Sequence, residues 1–246
     1  MAGNWKMNLL AADVAPYAAV LRANETAGEA KTIVCVPYLS IPAAVEAFKG
    51  SSVAVGAQDV SEEASGARTG EVSAAQLREA GVTYVIVGHS ERRQYHGETD
   101  AIVAKKLKAV LEAGMLPILC VGETLSERES GIAAERIRIQ LKAALLGVSV
   151  ESMRKLTVAY EPVWAIGTGK TASAEQAQEI CALIRAQLSE LYGKAAAQGC
   201  SVLYGGSMKP GNAAELLAQP DIDGGLVGGA SLKAEQFQTM IQAANA

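Results

Sequence analysis

Short apolar runs alternate with amphipathic stretches from one end of the chain to the other. The runs Thr32–Val36, Val53–Ala57, Tyr84–Val87, Leu116–Val121, Leu156–Tyr160, Val202–Tyr204 and Ile222–Val227 are predicted as strands, with a shortened one at Met1–Trp5. Between them the spacing changes to that of helices. Asp100–Ala113 places Val103, Leu107, Val110 and Leu111 on one face, and Gly131–Leu146 repeats the pattern through Ile137, Leu141, Ala144 and Leu145. Start and stop signals agree: Ser73-Ala74-Ala75-Gln76 and Ser173-Ala174-Glu175-Gln176 are capping boxes, and Gly50, Gly81 and Gly114 follow helical patterns as C-terminal caps. No Pro/Gly/Ser linker or break in composition divides the chain. The pattern predicts an α/β fold of about eight strand–helix units in one domain over residues 1–246, the arrangement of a (β/α)8 barrel. An open doubly wound sheet is the alternative, but no GxGxxG follows an early strand.

Composition narrows the core and the partners. Half of the 246 residues are apolar and only 4% are aromatic, so the core is built from Ala, Val, Leu and Ile, as suits buried parallel strands under helices. The net charge is −4 with acids and bases interspersed; no basic stripe points to nucleic acid and no Lys/Arg block to anionic lipid. A small anion could still be held locally. The opening Met1-Ala2-Gly3-Asn4-Trp5-Lys6 does not read as a secretory leader, and no apolar run is long enough to span a bilayer. Cys35, Cys120, Cys181 and Cys200 have no metal-ligand or CxxC spacing, which suggests reduced thiols in a cytoplasmic protein.

Barrels place their chemistry at the C-terminal ends of the strands. The first predicted strand ends in Asn4-Trp5-Lys6, an amide and a cation two residues apart on the same face of extended chain. The fourth ends in Val87-Gly88-His89-Ser90-Glu91-Arg92-Arg93. An imidazole just before a helix-prone turn lies near backbone N–H groups, which disfavour imidazolium; His89 is expected to be neutral, able to donate a hydrogen bond, or else a core histidine satisfied by its neighbours. His96 lies in a charged loop and reads as exposed. Two histidines without paired spacing do not make a metal site. The sixth strand leads into Glu161-Pro162, then an apolar tip Val163-Trp164-Ala165-Ile166, then Gly167-Thr168-Gly169. A strand-end acid beside a hinged flap suits proton abstraction in a dry site. It could equally be a surface Glu before an ordinary loop. Paired glycines close the seventh and eighth units, Tyr204-Gly205-Gly206-Ser207 and Gly224-Gly225-Leu226-Val227-Gly228-Gly229-Ala230-Ser231. They allow backbone N–H groups to approach an anion, and a helix predicted after Ser231 adds its N-terminal dipole.

From Gly3 to the C-terminal helix the chain resembles the triosephosphate isomerase family. The matching segments are Gly3–Asn8, Gly56–Gln58, Tyr84–Arg93, Leu119–Thr124, Ala159–Lys170, Tyr204–Ser207 and Leu226–Ser231, in the family's order. The resemblance implies the TIM-barrel fold and the interconversion of D-glyceraldehyde 3-phosphate and dihydroxyacetone phosphate through an enediolate, in glycolysis and gluconeogenesis. It implies Glu161 as the base, His89 as the electrophile, and Lys6 and Asn4 as stabilisers of the developing charge. Gly167, Ser207, Gly228 and Gly229 would hold the phosphate through backbone N–H groups. Pro162–Lys170, with Trp164, would be the lid, Tyr204 and Ser207 its closed-state partners, and Glu91 a support for the cation. No metal or organic cofactor is implied, because nothing is oxidised. A homodimer is implied, with the loop carrying Arg68 and Thr69 at its interface.

The chain departs from the family pattern in three places, one of them Leu9-Leu10, where small or polar residues are common. Only Met1 and Ala2 precede Gly3, where the family has several more residues of first strand, so the bracing of Lys6 is in question. Arg68 stands where the family often has an apolar residue, so the interface is expected to differ, with acids as candidates to pair with it. Other readings are a sugar-phosphate epimerase or lyase on the same barrel, which lacks the expected metal ligands or strand-borne Schiff-base Lys, and a catalytically impaired phosphate-binding homodimer.

Overall fold

The computed structural model describes residues 1–25, 28, 30–166 and 171–246. Eight parallel strands close into a barrel in chain order: β1 (Ala2–Asn4), β2 (Ile33–Val36), β3 (Ala54–Ala57), β4 (Tyr84–Val87), β5 (Leu116–Val121), β6 (Thr157–Tyr160), β7 (Ser201–Tyr204) and β8 (Gly224–Val227). The ring closes where Ala2 and Gly3 of β1 pair with Leu226 and Val227 of β8. Although short, β1 is hydrogen-bonded on both sides, with Ala2, Gly3 and Asn4 also in register with Ile33, Val34 and Cys35 of β2. Most of the observed strands begin a residue or two later than the apolar runs that predict them.

The strands are apolar throughout because both of their faces are covered. Ile33, Cys35, Tyr84, Ile86, Ile118, Cys120, Ala159, Leu203 and Leu226 pack together inside the barrel. Their strand neighbours Val34, Val36, Val85, Val87, Leu119, Val121, Val158 and Val202 join a second apolar cluster with the surrounding helices. The longer helices are α1 (Ala11–Ala23), α5 (Asp100–Glu112), α7 (Ala133–Leu145), α9 (Ala174–Tyr192) and α12 (Ala234–Ala243). Shorter ones include α2 (Ile41–Ala47), α3 (Ala74–Glu79), α4 (Ser90–His96), α6 (Leu125–Glu129), α8 (Val150–Met153), α10 (Lys194–Gln198) and α11 (Ala213–Leu217). Both predicted capping boxes form, at Ser73 and Ser173, and Gly50, Gly81 and Gly114 take the left-handed conformation that a helix stop requires.

The predicted helix after Ser231 forms differently. The chain makes a 3₁₀ turn over Gly229–Leu232, and α12 begins only at Ala234. Ser231, fully buried, explains the turn: its hydroxyl donates to the Gly228 carbonyl at 2.7 Å, while its own carbonyl accepts from Tyr17 of α1 at 2.7 Å. Behind it, Phe237 of α12 is completely buried against the closure of β1. Truncating Phe237 to Ala is expected to lower unfolding free energy by about 3–5 kcal/mol, the usual result for a buried aromatic in a packed core. A guanidinium titration followed by circular dichroism checks this.

Candidate active site

A cavity of about 480 Å³ opens at the C-terminal ends of the strands. Asn4, Lys6, His89, Glu161, Ser207, Gly228 and Gly229 all line it, so the structure brings together these sequence-predicted residues from five strand ends. Lys209 and Gln236 line it too and were missed by sequence reading; Lys209 could have been found as a cation two residues beyond Ser207. Gly167, and with it the flap residues 167–170, lie outside the described residues. Arg68 and Thr69 do not line the cavity. Arg68 instead pairs within its own loop with Glu63 at 3.2 Å and Glu62 at 3.8 Å.

Glu161 follows β6 directly and is only 2% exposed. Its Oε2 accepts the Ser90 backbone N–H at 2.9 Å, and its Oε1 accepts the Ser90 hydroxyl at 3.1 Å and faces His89 Nε2 at 2.9 Å. Burial pushes the Glu161 pKa up, but His89 and the two bonds from Ser90 outweigh it and hold the carboxyl below its ordinary value. The group is therefore an ionised base near neutral pH. Cys120, on the neighbouring strand, also touches this carboxylate; burial, and then Glu161, raise its pKa well above the ordinary value, so it remains a thiol.

His89 forms the N-cap of α4, and its Nδ1 accepts the Glu91 backbone N–H at 3.2 Å. Burial disfavours the imidazolium, while Glu161 and Glu91 favour it and on balance raise the pKa as long as the carboxylate stays in contact. The hydrogen bonding is more restrictive. An Nδ1 that accepts carries no proton, which leaves the neutral ring with its single proton on Nε2. The neutral ring expected from the residue's place before a helix is opposed by Glu161 and Glu91, which raise the pKa.

Lys6 takes a left-handed backbone, φ 52°, which costs a non-glycine residue on the order of 1–3 kcal/mol. The strain is held from both sides. The Asn4 side chain accepts the Lys6 N–H at 3.0 Å, and Gln58 donates to the Lys6 carbonyl at 2.9 Å. The twist carries the ammonium to Glu91 at 2.5 Å and lays its stem over Gly228, where a Cβ would lie 3.2 Å from Lys6 Cε. Asn4 thus acts on Lys6 through the backbone as well as from the cavity wall, and Gln58 is a bracing residue that the sequence reading quoted without giving it a role.

The flap's first turn is anchored behind the cavity. Trp164 donates from Nε1 to Glu123 at 2.8 Å; Tyr160 and Arg128 reach the same oxygen, and Arg128 lies 5.2 Å over the indole. Tyr204 is fully buried with its ring 6.4 Å from that of Tyr160.

The family model described as triosephosphate isomerase matches residues 1–244. Among the relatives, the triosephosphate isomerase of Acetivibrio thermocellus is 52% identical over 96% of this chain and 94% of its own. That of Delftia acidovorans is 55% identical over 98% and 97%, and that of Moorella thermoacetica 53% over 98% and 96%. The chain belongs to the triosephosphate isomerase family. It is an isomerase on the family's barrel, and Asn4, Lys6, His89, Glu161, Ser207, Gly228 and Gly229 of the matching segments line the cavity described above.

If Ser90 depresses the Glu161 pKa, removing its hydroxyl must let that pKa rise towards the ordinary carboxylate value. Deprotonation then occurs at higher pH. In Ser90→Ala, the acid limb of the kcat/KM pH profile is expected to move upward, with the alkaline limb unchanged.

Proposed function

We propose that this chain interconverts D-glyceraldehyde 3-phosphate and dihydroxyacetone phosphate by proton transfer, with Glu161 as base and His89 as electrophile. The observation that carries this reading is a buried carboxylate 2.9 Å from an imidazole, in a cavity that also holds an ammonium. The names of the relatives agree with it. Glu161 removes the proton from the carbon beside the carbonyl, and the C–H electrons form the enediolate double bond. The hydroxyl proton of one oxygen passes to the former carbonyl oxygen by way of His89 Nε2, and the carbon-bound proton returns to the neighbouring carbon as the new carbonyl forms. His89 Nε2–H meets the oxygen that gains charge, and Lys6, placed by Asn4, balances it. In its resting position the Glu161 carboxylate is turned towards Ser90, so it must swing towards the substrate.

A positioned base contributes roughly 10²–10⁴-fold, so the imidazole, the ammonium and exclusion of water must supply the rest. Backbone N–H groups of Ser207, Gly228, Gly229 and Gly167 hold the phosphate in this reading, and the flap over residues 162–170, rooted at Trp164, closes against Tyr204 and Ser207. The impaired-enzyme reading finds no support: β1 is paired on both sides and Lys6 is braced at both ends of its peptide.

The same reading places the chain in the cytoplasm, in glycolysis and gluconeogenesis, as a homodimer. Four buried free thiols suit a reducing compartment. Among the described residues no helix is long and apolar enough to cross a membrane. For the dimer, a second cleft beside the cavity is lined by Met7, Tyr38 and His96, and large apolar side chains stand exposed there and next to it: Met7 at 96%, Leu39 at 91% and Tyr95 at 70%. The Arg68–Thr69 loop would complete that interface.

Isomerase turnover measured with chelator present should fall roughly 10²–10⁴-fold in Glu161→Gln. A variant as fast as the parent would sink the assignment of Glu161. Light scattering at micromolar concentration should give a particle of twice the 25.5 kDa chain mass; a monomeric mass would exclude the dimer.

A further inference from the structure

The assignment of His89 as electrophile leaves open what aims it. Its ring is met by a long bond from the Glu91 N–H at 3.2 Å, by the Glu91 carboxylate 3.6 Å from Nδ1, and by Glu161, which must move during the reaction. None of these fixes the peptide that carries the residue. That peptide begins at Gly88, just beyond the end of β4, in a left-handed conformation with φ 71°. A glycine contributes no side chain to restrain its own rotation, so the orientation of its carbonyl must be imposed from outside.

The Gly88 carbonyl accepts from Arg93 Nε at 2.9 Å, five residues on in α4. The same guanidinium is gripped through Nη1 by Asp100 at 2.5 Å, the first residue of α5. Asp100 in turn takes Arg136 of α7 at 2.9 Å, and Arg136 Nε lies 3.5 Å from Glu127. Glu127 accepts the Thr124 N–H at 2.7 Å, next to the Glu123 that seats Trp164. The space around the turn is closed as well: a Cβ on Gly88 would meet Val103 at 2.8 Å and Arg93 Nη2 at 3.2 Å. Side chains of Arg93 and Asp100 are only 15% and 19% exposed, so water competes little with these bonds.

We propose that Arg93 is the positioning residue of His89: it fixes the Gly88 carbonyl, and with it the peptide that aims the imidazole, while Asp100 locks the guanidinium. The planar fork explains why an arginine is needed. One edge of the group reaches the carbonyl while a terminal nitrogen holds the carboxylate, and an ammonium cannot do both in fixed geometry. The link continues through Arg136 and Glu127 to the Thr124 N–H, one residue from the Glu123 that seats Trp164. The proposal rests on the role given to His89 above.

Misplacing a reacting group by about 1 Å can cost around 10²-fold in rate. Arg93→Lys, checked for native circular dichroism, is therefore expected to lose roughly 10–100-fold in kcat. KM should stay within about threefold, and competitive inhibition by inorganic phosphate should not change, because the phosphate loops are untouched. Asp100→Asn keeps the volume and one acceptor and should show the same pattern more weakly. His89→Gln, measured in parallel, separates the two claims. If His89→Gln abolishes fast turnover while folded Arg93→Lys keeps kcat within twofold, or loses only thermal stability, the positioning role is overturned and that of His89 stands. If His89→Gln itself is as fast as the parent, the electrophile assignment fails and the positioning role fails with it.

Discussion

An ionised carboxylate almost without access to water is the constraint on which the rest of this structure depends. Removed from solvent, Glu161 must find donors in the protein or else take up a proton. Besides the Cys120 thiol on the neighbouring strand, its partners are His89 and Ser90 at the start of α4, at the end of β4, two strands away around the barrel. Their meeting is decided by register: Val87 of β4 opposite Leu119 of β5, and Val121 of β5 opposite Tyr160 of β6. A slip of one residue in either pairing would turn alternate side chains to the wrong face and leave the charge unmet. Strand register in this barrel is therefore an electrostatic requirement as much as a packing one.

The same rule recurs around the cavity rim. Lys6 is met by Glu91 from another loop, and Glu123 by Tyr160 and Trp164 from the sixth unit and by Arg128 of α6. The strained backbone at Lys6 is tolerated because its N–H and carbonyl are both taken, by Asn4 and by Gln58. Rigidity at the site thus comes from loops that cross-link each other, while the apolar strands beneath supply only their footing.

Much of this could be seen in the sequence, for reasons that differ between fold and site. The strands were legible because burial on both faces makes each a short unbroken apolar run, yet the same uniformity concealed which side chains face the barrel interior. Cys35 and Val34 look alike in sequence and lie in different clusters. Asn4, Lys6, His89 and Glu161 were legible as polar residues arriving at strand ends. Gln58, Ser90 and Arg93 were not, because nothing local marks an ordinary polar residue whose partner lies on another loop. The helix expected after Ser231 starts only at Ala234, because a 3₁₀ turn intervenes whose Ser231 carbonyl is held by Tyr17, more than two hundred residues earlier.

The closure of the ring by β1 and β8 has a consequence for how the molecule comes into being. Lys6 lies over Gly228, so one side of the cavity is completed only when opposite ends of the chain meet. A ribosome that has not yet released β8 presents several strand–helix units and a cavity still lacking the Gly228 and Gly229 side. Contacts of such long sequence separation are closed late and slowly, and chains of this size pass through partly assembled states. Ligand capture during synthesis would consequently report completion of the whole ring, making the site a built-in indicator of finished folding.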